Sequence, residues 1–408
     1  MTSRARTAET VRELLELRLE QRHDCSRTFF EAHSERIARL CHRMAERFAR
    51  DGRLLALGIS PAARSDARHV AVEFVHPVIV GKRALPALGL TGESGHAVRE
   101  LDLAAAPQDI VIAFGDPADG SELGDALALA RTRGCLTVAF APLGAEWELE
   151  PPTTEPFVAQ EIVETTYHVL WELVHVFFEH RGLLAGRTER RSHDAGASSF
   201  LYPFLAERED DVDAVLADVA QSALMKAEEV AQLRAATVTD GAAVLDEAAL
   251  AVRSSLDAGG TLLALGNGGS ATDAMDVVAD FVAAPPRMGW PPRRALDLCA
   301  DTAIITAIAN DIGPEAIFSR QVIAYGRPGD VLLALSTSGN SLSVIDALAQ
   351  ARRRELVTIA FVGYDGGRVA AEEQADHVIV TSSQHIPRIQ EAQATAYHLL
   401  RELVELSS

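Results

Sequence analysis

Two stretches of the chain concentrate groups able to hold an anion. LLALGNGGSATDAM reads as a strand, a glycine-rich turn and the start of a helix. Gly266, Gly268 and Gly269 permit a tight turn and close approach of a ligand, and Ser270 and Asp273 fall where the first helical turn offers free N–H groups. LLALSTSGNSLSVIDAL places Ser336, Thr337, Ser338, Asn340 and Ser341 after a second apolar run. Four hydroxyls, an amide and a helix N-terminus can wrap the terminal oxygens of a phosphate monoester without Lys or Arg. One such residue would be an ordinary cap; five within six positions exceed what capping requires. A nicotinamide-binding reading of GNGGSA is weaker, because no acidic residue ends a second strand at the usual distance, so no nucleotide cofactor is expected.

Other residues could move protons or hold a metal. SDARHVAVEFV carries His69 and Glu73 four apart, and QEIVETTYHVLWELV carries Gln160 and His168 eight apart. Spacings of four and eight put each pair on one helical face. Taken alone, a His/Glu pair at this spacing is commonly just a helix-surface or interface pair.

The elements that must position these residues are written twice. RLLALG (53–58) returns as TLLALG (261–266), the segment 108–140 aligns without gaps on 329–361, and QEIVETTYHVLWELV (160–174) matches QEAQATAYHLLRELV (390–404). Each half opens with amphipathic helical sequence, followed by apolar runs of four to six residues alternating with helical patterns. That alternation predicts an α/β fold: a parallel sheet covered by helices on both faces, once per half. The polar, aperiodic stretch GRTERRSHDAGASS marks the join. The expected division is a first domain over 1–185, a linker over 186–205 and a second domain over 206–408.

GNGGSATDAM, ITAIANDIG, IFSRQV, GDVLLALSTSGNS and RIQEA, in that order, resemble the sugar isomerase (SIS) fold, and more closely the phosphoheptose isomerase family. The resemblance covers residues 211–405. It implies two tandem SIS domains, each a flavodoxin-like three-layer αβα sandwich. It implies that Ser270, Ser336, Thr337, Ser338 and Ser341 hold a phosphate, with Asn340 and Gly268 in the same loops, and that Asn267 and Asp311 contact the sugar. Family members also carry a His and a Glu four apart after the glycine loop, and a Gln and a His eight apart on the last helix. These bind zinc in some members, and the Glu and the last His serve as base and acid.

The second half departs from that pattern. Asp276 and Asp280 stand at the His and Glu positions, Pro387 replaces an Asp, and Gln390 and His398 are kept. The first half does the reverse: it keeps His69, Glu73, Gln160 and His168 but has lost its phosphate loops, with Asp116, Pro117 and Asp119 opposite Thr337, Ser338 and Asn340. Two arrangements follow. In one, the halves share a composite inter-domain site, with Glu73 as base and His168 as acid. In the other, the second half is self-contained, with Asp280 as base and His398 as acid. The expected activity is aldose–ketose isomerisation of a phosphorylated sugar, most like sedoheptulose 7-phosphate. The rival is a non-catalytic SIS sugar-phosphate-binding regulator or protein-binding adaptor.

The bulk properties bound the partners. The 408 residues carry 38 Lys+Arg against 58 Asp+Glu, a formal charge of −20. That balance argues against nucleic acid and anionic membranes, which need a concentrated positive field. Serines and backbone N–H groups can still hold a small phosphate. Four scattered cysteines with no CxxC pair give no disulfide framework. The amino terminus has no signal-like apolar region, and no apolar run nears the ~20 residues of a membrane span. The expectation is a soluble, cytoplasmic protein. If single-domain relatives form tetramers, a tandem chain would form a homodimer, a four-domain pseudo-tetramer.

Overall fold

The computed structural model describes residues 7–77, 82–92, 96–115, 121–179 and 212–406. The expected linker over 186–205, and Asp116, Pro117 and Asp119, lie outside the described residues. The chain divides into two compact units: Met1–His23 with Val230–Ser408, and Asp24–Glu229. The divisions fall within two long helices, α1 (Ala8–Ala49) and α6 (Val212–Asp257). The amphipathic sequence opening the second half is therefore one uninterrupted helix of 46 residues. It runs through Gly241, whose missing side chain faces Ile379.

The unit Asp24–Glu229 contains β1 (Leu54–Gly58), α2 (Pro61–Val75), β2 (Ala87–Leu90), α3 (Ala97–Ala104), β3 (Ile110–Phe114), α4 (Glu122–Thr132), β4 (Leu136–Ala139), β5 (Trp147–Glu148) and α5 (Pro156–Glu179). Its sheet has the order β2-β1-β3-β4-β5, and every pair is parallel. β1 and β3 are buried along their whole length, which is why they read as unbroken apolar runs. Phe48, Phe74, Tyr167 and Trp171 fill the core on one face; Leu101, Leu123 and Leu127 fill it on the other.

The second unit contains β6 (Leu262–Leu265), α7 (Gly269–Val282), β7 (Ala295–Asp297), α8 (Thr302–Asp311), α9 (Ser319–Tyr325), β8 (Val331–Ser336), α10 (Leu342–Arg353), β9 (Val357–Gly363), α11 (Gly367–Ala371), β10 (His377–Thr381) and α12 (Ile386–Glu405). Its parallel sheet runs β7-β6-β8-β9-β10. Both sheets thus follow the order 2-1-3-4-5, the flavodoxin-like winding, whose switch point lies between the first and third strands.

One buried carboxylate does the same work in each unit. Asp109, ahead of β3, accepts from the backbone N–H of Arg53 (2.8 Å) and of Ala106 (2.9 Å). Asp330, ahead of β8, accepts from Thr261 (2.8 Å) and Arg327 (2.9 Å). Each ties the starts of the two central strands together and satisfies backbone donors that would otherwise be buried unpaired.

Candidate functional site

The two loops singled out in the sequence leave the carboxyl ends of β6 and β8, neighbouring parallel strands. Ligands bind at such an edge in open α/β sheets. Gly266 must lack a side chain, because a Cβ there would run into the backbone of Ser270. Gly268 caps α7, and Ser270, in its first turn, is buried. In the second loop Ser336 is the last residue of β8, and its Oγ accepts from Gly339 N at 3.2 Å. Ser338 Oγ accepts from Asn340 N at 3.2 Å, while Asn340 Nδ2 donates to Ser338 O at 2.9 Å. Ser341 is the N-cap of α10, and Thr337 is half-buried.

The loops touch. Asn267 Nδ2 donates to Ser341 Oγ at 2.9 Å and to Ser343 Oγ at 3.0 Å. Ser343 escaped the sequence reading, although its place two residues after a helix cap could have flagged it. A third loop, after β9, closes on the second: Val369 N donates to Gly339 O and Arg368 N to Asn340 Oδ1, both at 3.0 Å. Gly339 has φ +61°, and a Cβ there would land on the carbonyl of Gly366. The result is a cluster of hydroxyls and amides at a helix N-terminus, suited to a phosphoryl group. Asp311 ends α8, its Oδ1 accepting from Asn310 Nδ2 at 2.7 Å. It borders a groove of about 280 Å³ with Ile304, Ile308, Ile312, Arg320 and Tyr325.

The same unit brings α7 and α12 side by side. Asp280 and His398 are both buried, with Oδ2 and Nε2 3.6 Å apart. The Tyr397 hydroxyl donates to Asp276 Oδ2 at 3.1 Å. Burial, reinforced by the nearby charge of Asp276, holds the Asp280 carboxyl well above the usual carboxylate range, while Arg401 pulls it down. Arg401 itself is buried, its guanidinium 4.7 Å from the ring centroids of both Phe281 and Trp290. Its Nε donates to the Asp280 backbone carbonyl at 3.1 Å, and Nη1 donates to Glu405 at 2.6 Å. Sequence reasoning missed Arg401 because an arginine near a helix end usually reads as solvated. Gln390, two turns before His398, is buried on the same helix.

In the other unit α2 and α5 meet around His69, Glu73 and His168, all buried. His69 Nε2 lies 3.3 Å from His168 Nε2 and 3.9 Å from Glu73 Oε1. Two ligands of a tetrahedral zinc with bonds of 2.0–2.1 Å stand about 3.3–3.4 Å apart, so the imidazole pair has the spacing of neighbouring ligands. Burial, and then the neighbouring His168, push the His69 imidazole well below its ordinary value. It is therefore neutral, the form that ligates metals. One ligand atom from each of the three residues falls within 4.8 Å of the others. Gln160 is half-buried, two turns earlier on α5.

Among the described residues no helix is long and apolar enough to cross a membrane. The fold and the loops define a class, the SIS domain proteins, and the SIS domain family matches residues 227–363. The chain has the fold of tagatose-6-phosphate ketose/aldose isomerase from Escherichia coli: 13% identity, TM-score 0.55, covering 96% of this chain and 92% of that one. It also has that of the C-terminal domain of glucosamine-fructose-6-phosphate aminotransferase from Francisella tularensis: 8% identity, TM-score 0.59, covering 95% and 93%. Among curated proteins, the phosphoheptose isomerase of Desulfovibrio desulfuricans is 44% identical over 176 residues, 43% of this chain and 82% of that protein. That of Nitratidesulfovibrio vulgaris is 40% identical over 185 residues, 45% and 88% respectively. The chain belongs to the phosphoheptose isomerase family.

Proposed function

We propose that this protein interconverts the aldose and ketose forms of a phosphorylated sugar, most like sedoheptulose 7-phosphate. The observation that carries the reading is the pair of interlocked loops at the β6 and β8 edge, in a chain with a 176-residue stretch 44% identical to a phosphoheptose isomerase. The phosphate sits against Ser270, Ser336, Thr337, Ser338 and Ser341, with Gly268 and Asn340 shaping the loops. Asn267, Asp311 and Gln390 serve the sugar. One group removes the proton from the carbon next to the carbonyl, and another protonates the carbonyl oxygen as the enediolate forms.

Two acid–base pairs are candidates. Asp280 and His398 are buried together in the unit that holds the loops, and a carboxyl held well above the usual carboxylate range by burial is suited to proton transfer. Glu73 and His168 keep the family's residue types and belong to the composite arrangement. His69, Glu73 and His168, with Gln160, would hold zinc; the buried neutral His69 and the ligand-like spacing support the fit. When bound, such an ion supplies electrostatic stabilisation of developing negative charge. Glu73→Gln and Asp280→Asn, each assayed for ketose–aldose exchange with C5 to C7 sugar phosphates, separate the pairs. Absence of exchange in the wild type, with and without Zn²⁺, would rule out the enzymatic reading.

A second reading, a sugar-phosphate-binding regulator, is favoured by one observation: Asp276 and Asp280 stand where the family has His and Glu. Binding of sugar phosphate without turnover would select it. In either case we infer a cytoplasmic protein made by duplication of one domain, assembled as a homodimer that presents four domains.

A further inference from the structure

The clasp between the two loops of the second unit has three members, and only two of them are open to a ligand. Asn267 is exposed and Ser341 half-buried, but Ser343 is 5% exposed. The amide nitrogen of Asn267 donates to both serine oxygens, Ser341 Oγ at 2.9 Å and Ser343 Oγ at 3.0 Å. The two serine oxygens are 3.2 Å apart. Each hydroxyl therefore accepts from the amide and keeps its own proton to donate. The buried Ser343 hydroxyl has Ser341 Oγ within reach. The contact lets either serine donate to the other; with Ser343 as the donor, the acceptor capacity of Ser341 is filled from both sides and its own proton is directed outward. A phosphoryl oxygen only accepts, so an outward-pointing proton is what it needs.

We propose that Ser343 is a positioning residue of the phosphate site, holding Asn267 and Ser341 so that the Ser341 hydroxyl donates to the phosphoryl group. It acts through Ser341 and does not touch the substrate. The clasp also locks together loops more than seventy residues apart in the chain, setting the spacing between the α7 and α10 N-termini before a ligand arrives. This inference rests on the phosphate-site reading above.

The test measures the inhibition constant of inorganic phosphate and the KM for sedoheptulose 7-phosphate in wild type, Ser343→Ala, Ser343→Thr, Asn267→Ala and the Ser343→Ala/Asn267→Ala double variant. Misdirecting one hydrogen bond to a charged group weakens both constants about tenfold in Ser343→Ala, with kcat within about twofold. Ser343→Thr, which keeps the hydroxyl, restores them. The double variant is no weaker than Asn267→Ala alone, because both act through one clasp. The proposal is overturned by phosphate inhibition within twofold of wild type in Ser343→Ala, by a fall in kcat at constant KM, or by additive effects in the double variant. A wild-type protein that binds neither phosphate nor sugar phosphate removes the phosphate site itself. An unchanged Ser343→Ala in a protein that does bind removes only the role of Ser343.

Discussion

Replacing Gly339 with alanine tests whether the three loops at the β8 edge act as one unit. Gly339 has φ +61°, where an L-residue costs roughly 1–2 kcal/mol. The added methyl would also strike the Gly366 carbonyl, a backbone atom that cannot rotate aside. The second and third loops must then part, straining the hydrogen bonds from Val369 N to Gly339 O and from Arg368 N to Asn340 Oδ1. At about 1 kcal/mol each, these bring the expected loss to about 3–4 kcal/mol. Gly329 is the control: its φ is +89°, but nothing lies within 4 Å of a Cβ there. Gly329→Ala should cost only the backbone component, roughly 1–2 kcal/mol. Denaturant midpoints measure the difference. Sugar-phosphate turnover measures its consequence, since a displacement near 1 Å can lower rate about 100-fold. If the two variants unfold at the same midpoint and Gly339→Ala keeps wild-type turnover, the loops are not mechanically coupled and the argument is wrong.

Asp280 makes stability depend on pH. Its folded-state pKa is raised above the unfolded value, so its contribution is fully present below the ordinary carboxylate range and is lost as pH rises through the folded value. Asp280→Asn should therefore be more stable than wild type at neutral pH, with the gap closing below about pH 4; parallel midpoint curves from pH 3 to 8 would refute this. Arg401→Met removes a buried cation lying against the Phe281 and Trp290 rings and frees the Asp280 carbonyl, and should cost about 3 kcal/mol in chemical denaturation. If zinc is held as proposed, dialysed wild type retains it and His168→Ala does not, by elemental analysis. Equal metal content in the two would exclude the His69–His168 pair as ligands. Sedimentation should give twice the chain mass; a monomer at micromolar concentration contradicts the proposed homodimer.

Much of this protein is written in local sequence. Buried parallel strands must be apolar on both faces, so LLALG and DVLLALS announce themselves, and their tight turns demand glycine where the chain meets α7 and α10. The spacing of His69 with Glu73, and of Gln160 with His168, follows from helical geometry alone. Other features required the folded chain. No periodicity says that α2 meets α5 so that His69 and His168 stand 3.3 Å apart, or that Asn267 reaches Ser343 seventy-six residues later. The raised Asp280 carboxyl and the buried Arg401 have the same origin, because burial and neighbouring charge are properties of the packed interior. Sequence determined which groups are present and which face of each element they occupy. Tertiary structure decided which of them share a low-dielectric space, since only long-range packing can bring them together and exclude the water that would screen them.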